Sequence, residues 1–125
     1  MRLLFEQGTC LADVLGGVDG VEFLGIERIE QHAAIVAVGG GSSIDTAKAV
    51  NLLTTNAGEL MDYINAPVGN AKPPTAPLLP LIAVPTTTGT GSESTTICVL
   101  DVVSQHVKTG ISHARLRPTL AVVDP

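Results

Sequence analysis

AAIVAVGGGSSIDTAK, residues 33–48, decides how the chain folds. Ala33 to Val38 form a short continuous apolar run, the pattern of a strand buried on both faces. Gly39, Gly40 and Gly41 interrupt it, and SSIDTAKAVNLLTTN follows with Ile44, Ala47, Val50 and Leu53 supplying apolar contacts. Ser42 and Asp45 have the spacing of a capping box, which predicts a helix from there to Asn56–Gly58. A strand that runs through glycines into a helix leaves unpaired backbone N–H groups, and the positive end of the helix dipole, at the carboxyl edge of a sheet. Such an edge attracts anions. The glycines let a phosphate approach the backbone, and Ser42 and Ser43 add hydroxyl donors. An ordinary tight turn that needs glycine only for its dihedral angles fits the same residues. Two standard phosphate motifs are not matched: Ile44 stands where GxGxxG has its third glycine, and Lys48 lacks the flanking residues of a P-loop.

A second turn of similar make-up follows another apolar run. LLPLIAVP predicts a buried strand ended by Pro85, and TTTGTGSES places Thr86, Thr87, Thr88, Thr90 and Ser92 around Gly89 and Gly91. Ligands of open α/β sheets bind at strand carboxyl ends, so two such turns could grip one extended ligand. Hydroxyl residues are also common in turns for purely local reasons. Elsewhere, VEFLGIERIEQHA (21–33) reads as an interrupted amphipathic helix with a weak point at Gly25. Residues 58–77 read as a connecting loop, since four prolines and two glycines break regularity, with one helical turn near Leu60–Ile64. TTICVLDV and KTGIS predict a strand pair turning near Ser104 and Gln105, and TLAVVD a last apolar strand.

The 125 residues make one domain at most, and 45% hydrophobic content permits a sizeable core. Few aromatics and many Ala, Val, Leu, Ile and Gly favour an α/β fold with a mostly parallel sheet. A net charge of −5 with no basic cluster argues against nucleic acid. Cys10 and Cys98 stand alone and read as small buried thiols in a reducing compartment. MRLLFEQGTCLADVL lacks the features of a signal peptide, and no apolar run reaches membrane-span length, so the sequence reads as soluble, with no membrane partner.

VGGGSSIDTAK, PTTTGTGSEST and LRPTLAVVDP, in this order over residues 34–125, resemble the iron-containing alcohol dehydrogenases. DYINAPVGNAKP joined to PLIAVPTTTGTGSE is most similar to the hydroxyacid-oxoacid transhydrogenase branch of that family. The resemblance implies a Rossmann-like nucleotide-binding part in which Gly40, Gly41, Ser42 and Ser43 hold the pyrophosphate of NAD (or NADP), with Asp45 behind them. It also implies that Thr86, Thr87, Gly89, Thr90 and Thr95 line the nicotinamide and ribose side and that Lys108 reaches the ribose. On sequence alone Lys108 is a solvated strand residue, Thr95 a β-former and Asp45 a helix cap. Gly41 is further expected to lie where a side chain would collide with the pyrophosphate.

The implied activity is hydride transfer between a small alcohol or hydroxyacid and NAD, aided by a divalent metal, iron, in the full-length enzyme. A homo-oligomer in the cytoplasm, or in mitochondria of a eukaryote, is the matching setting. The family's metal-binding helical second domain is absent from this chain, and residues 1–33 match the family poorly. No catalytic or metal-binding residue is therefore assigned, and His32, His106 and His113 read as surface histidines. An inactive nucleotide-binding fragment and a relative of dehydroquinate synthase are the alternatives, PTTTGTGSES favouring the dehydrogenase branch. A chain lacking those parts is expected to expose apolar surface at Val36, Val38, Leu120 and Val122 and to self-associate.

Overall fold

Strand β1 (Ile26–Ile29) runs antiparallel to β2 (His32–Gly39), which leads through Gly40 into helix α1 (Gly41–Thr55). The computed structural model describes residues 26–29 and 32–124. A short helix α2 (Leu60–Tyr63) follows, then β3 (Leu81–Pro85), the hairpin of β4 (Ile97–Val102) and β5 (Val107–Ser112), and a two-residue strand β6 (Leu120–Ala121). β3 is parallel to β2 and β6 is parallel to β3, so the main sheet has the order β1-β2-β3-β6, while β4 and β5 form a sheet of their own. The fold is α/β with a mostly parallel sheet, as the apolar runs and the helix that follows the first of them predict.

The helix expected over residues 21–33 is not formed where the segment is described, at Ile26–Ile29 and from His32, and residues 21–25, 30 and 31 lie outside the described residues. Where described, the segment is extended: Ile26 to Ile29 pair with Ile35 to His32, so β1 gives the outer edge of β2 a hydrogen-bonded neighbour. Ladder bonds and the glycine at position 25 outweigh a weak helical periodicity. The strand expected over TLAVVD is shorter than its apolar run. It pairs only at Leu120 and Ala121, flanked by bonds from Thr119 N–H to Leu81 O (2.8 Å) and Val122 N–H to Ala83 O (2.8 Å).

Helix α1 is the centre of the molecule. Its Ile44, Ala47 and Val50 pack on Ile35, Ala37, Leu81 and Ala83 of the parallel sheet. On another side Ala49 and Leu52 meet Tyr63, Ile64, Cys98, Ile111 and Leu116. Every residue from Ile44 to Leu52 is buried, because the helix lies between the sheet and the β4–β5 hairpin. Asn51 uses its buried position to clamp the chain entering β3: its Nδ2 donates to Leu79 O (2.7 Å) and its Oδ1 accepts from Leu79 N–H (2.9 Å).

Val36 and Val38 are half-buried rather than open, whereas Leu120 and Val122 are exposed, together with Ile97, Val99, Val103 and Val123. Cys98 is a free, buried thiol as expected; Cys10 lies outside the described residues. Among the described residues no helix is long and apolar enough to cross a membrane.

Candidate functional site

The register of β2 on β3 pairs Gly39 with Pro85, so the two hydroxyl-rich turns leave the sheet side by side at its carboxyl edge. Thr86 N–H donates to Gly39 O (2.9 Å) and fastens one turn to the other. Gly39 has φ 152°, a conformation that favours glycine and redirects the chain into α1. Gly40 caps the helix without a side-chain hydrogen bond, and Ser42 sits inside the first turn. The capping box expected of Ser42 and Asp45 is therefore not formed. With no side-chain cap, the N–H groups of Gly41, Ser42 and Ser43 lack intrahelical acceptors and remain the positive end of α1.

Close packing of the two turns depends on the missing side chain at Gly41 more than at Gly40. A Cβ built on Gly40 would stand 3.2 Å from Thr87 Oγ1, and one on Gly41 would stand 2.7–2.8 Å from Cγ2, Cβ and Oγ1 of Thr90. The space at Gly41 is thus already closed off by Thr90 of the second turn. Thr86, Thr87, Gly89 and Thr90 are all exposed around the turn, and Ser42 is exposed beside them. Gly89, at φ 101°, has open space where a side chain would be.

Asp45 and Thr95 have a different setting. Asp45 is buried; Oδ1 lies 3.4 Å from Lys48 Nζ and Oδ2 accepts from Val99 N–H (3.0 Å). Lys48 is fully buried and donates further to Ile97 O (2.7 Å), Thr95 O (3.1 Å) and Thr95 Oγ1 (3.1 Å). Burial holds its ammonium pKa below the usual lysine value, against the opposing pull of Asp45. The Thr95 hydroxyl in turn donates to Ile97 O (3.4 Å), and Thr95 N–H bonds Gly91 O (3.1 Å). Lys48 fits no phosphate motif in the sequence. Its signal was position: a lysine between Ala47 and Ala49, in a helix with no continuous polar stripe.

Lys108 stands apart. It is exposed on β5 opposite Asp101 of β4, 3.9 Å away, and at 70% and 68% side-chain exposure this pair constrains little. Lys108 is four positions from Ser112, which pairs with Ile97, so it stands about 13 Å along the hairpin from the end that Lys48 holds. His106 is exposed in a left-handed conformation, and His113 Nδ1 accepts from Arg115 N–H (3.2 Å). Among the described residues no three His, Cys, Asp or Glu side chains come together as a metal-holding group. A cavity of about 270 Å³ is lined by Lys48, Asn51, Leu79, Leu81, Arg115 and Thr119. It is lined by none of the glycine or threonine turn residues.

A family profile described as iron-containing alcohol dehydrogenase matches residues 21–125. The chain belongs to that family. Among its relatives, the mitochondrial hydroxyacid-oxoacid transhydrogenase of Mus musculus is 56% identical over 109 residues, covering 86% of this chain and 23% of the relative. The enzyme of the same name from Homo sapiens is 50% identical over 93 residues, 74% of this chain and 20% of the relative. The chain spans about a quarter of the length of the curated relatives it matches. Solved iron-containing alcohol dehydrogenase folds agree. A 1,3-propanediol oxidoreductase superposes with TM-score 0.64 at 39% identity over 74% of this chain and 23% of its own. Sulfoacetaldehyde reductase from Bifidobacterium kashiwanohense, solved in complex with NAD+, gives 0.64 at 38% identity over 72% and 23%.

Proposed function

We propose that this chain forms the nicotinamide-cofactor cradle of an NAD-linked oxidoreductase acting on a small alcohol or hydroxyacid. One observation carries the reading: the glycine turn at α1 and the threonine turn after β3 emerge side by side at the carboxyl edge of the sheet, with unpaired N–H groups between exposed hydroxyls. The residues fit the group. The backbone at Gly40 and Gly41 with Ser42 and Ser43 would hold the pyrophosphate, the helix dipole and N–H groups offsetting its charge. Thr86, Thr87, Gly89 and Thr90 would line the ribose and nicotinamide side, and Lys108, only loosely paired with Asp101, would reach the ribose from the hairpin. Asp45 and Thr95 would act from behind, since their polar atoms are engaged by Lys48. When bound, the nicotinamide accepts or returns a hydride at the substrate carbinol carbon.

Names borne by the relatives favour hydroxyacids and oxoacids as substrates, and a mitochondrial setting, over other members of the family.

The test is cofactor binding watched at the site. NMR titration with NAD should shift the amides of Gly40 to Ser43 and of Thr86 to Thr90 together, with a Kd between about 1 μM and 1 mM. Unmoved glycine-turn amides at saturating NAD would refute the reading, and a parallel titration with NADP gives the cofactor preference.

A further inference from the structure

The Asp45–Lys48 pair is out of place as a stability device. An ammonium with no exposed surface has been taken out of water, and an apolar pair of similar volume commonly serves stability as well or better. Its partners say what it does instead. Lys48 sits on the helix that begins at the glycine turn, and its three N–H donors reach two backbone carbonyls and a hydroxyl in Thr95–Ile97, the segment that leaves the threonine turn. Asp45, three residues earlier on the same helix, takes Val99 N–H from the strand that continues this segment. Arg117 adds an outer tie through Nε to Ser94 O (3.1 Å). Three acceptors of the segment and one carboxylate oxygen of α1 crowd the three hydrogens of one ammonium, so the segment is tied to the helix at Thr95 and Ile97 through a single nitrogen. A neutral side chain could not bind two carbonyls and a carboxylate at once.

We propose that Lys48, oriented by Asp45, is a positioning residue for the cofactor cradle: it fixes the Gly91–Val99 segment against α1 and so sets the distance between the two anion-facing turns. The proposal rests on the cofactor reading above. Lys48 touches no cofactor atom in this account; its effect passes through Thr95 and the Gly91 carbonyl that Thr95 N–H holds. A displacement on the order of 1 Å in groups that must act together is worth large factors in binding or rate.

The experiment compares the wild-type protein with Lys48→Met, Lys48→Arg and the double variant Asp45→Asn/Lys48→Met. Two readouts are taken on each: NAD affinity, and amide exchange at Thr95 and Val99 with the Ile44–Leu52 amides as an internal measure of global stability. The double variant removes both charges, and Asn can still accept from Val99 N–H, so it avoids a stranded buried carboxylate. Expected is a loss of NAD affinity of about tenfold or more in the double variant. Exchange at Thr95 should accelerate while the Ile44–Leu52 amides stay protected. Lys48→Arg, which keeps a donor cation, should recover part of both effects.

Wild-type affinity in a folded double variant would overturn the proposal. Unchanged Thr95 exchange in that variant would overturn it as well, whatever the affinity. If wild-type protein fails to bind NAD, the cofactor reading falls, while the exchange data still decide whether Lys48 anchors the segment. Equal loss of protection at Thr95 and throughout α1 would also count against positioning, since it marks a global role.

Discussion

Gly41→Ala is the substitution for which local preference and packing disagree in sign. Gly41 is the first residue of α1, and replacing glycine by alanine inside a helix normally gains up to about 1 kcal/mol. The new methyl would, however, stand 2.7 Å from Thr90 Cγ2 and 2.8 Å from its Cβ and Oγ1. Carbon atoms in good contact are about 3.5–4.0 Å apart, so the overlap is about 1 Å. Rotation about χ1 moves Cγ2 and Oγ1 but leaves Cβ in place, so relief requires the backbone of the threonine turn to shift. Overpacking of this kind costs about 1–3 kcal/mol. The first helical position gains less than the interior, so packing wins, and a net loss of about 1–2 kcal/mol is expected. Urea denaturation of four proteins measures it: wild type, Gly41→Ala, Gly41→Ala/Thr90→Ala and Gly41→Ala/Thr90→Gly. Thr90→Ala keeps the Cβ that clashes and should recover little, whereas Thr90→Gly should recover most of the loss. NAD affinity should follow the same order, because the methyl displaces the second turn. Stability of Gly41→Ala equal to or above wild type would refute the contact between the two turns and, with it, the geometry of the cradle.

Two further outcomes follow from buried polar groups. Asn51→Ala leaves Leu79 N–H and C=O without their clamp and should lower stability by about 1–3 kcal/mol in urea denaturation, while a change below about 0.5 kcal/mol would show that water replaces the amide without loss. Burial, reinforced by the Asp45 carboxylate, pushes the Cys98 thiol up to about 11, so in a Cys10→Ser background iodoacetamide at pH 8 should leave native Cys98 unmodified and alkylate it only on unfolding; native alkylation at the rate of a free thiol would contradict this.

What the sequence made legible follows from what one residue type can say by itself. Glycines followed by serines or threonines after an apolar run read correctly as turns at a sheet edge, and the parallel pairing of Gly39 with Pro85 then brings the two turns together without further information. The hairpin was equally legible: Ser104 and Gln105 do lie in its 3-10 turn, Val103–Gln105, between two β-rich runs. Three readings failed or were missed, each where a distant contact outweighs a local pattern. Ile26–Ile29 carries a weak helical period, yet the open edge of β2 takes it as a strand. Ser42 and Asp45 have capping spacing, but Asp45 is turned into the interior by Lys48 and Val99, leaving Gly40 as an uncapped N-cap.

Lys48 is the same effect in its strongest form. Nothing within four residues of it accepts more than one of its protons; the other acceptors are supplied 47 and 49 positions away. A pattern of neighbours cannot reveal such a partner, but burial on every side of α1 demands one, since a lysine placed there must be bonded or the helix would not pack. The uncapped N-terminus and the buried pair are therefore linked. The Asp45 carboxylate faces inward to Lys48 and Val99 N–H, and the first turn of α1 carries no acidic side chain, so its N–H groups stay an uncapped positive end beside exposed hydroxyls, which is what an anionic cofactor requires.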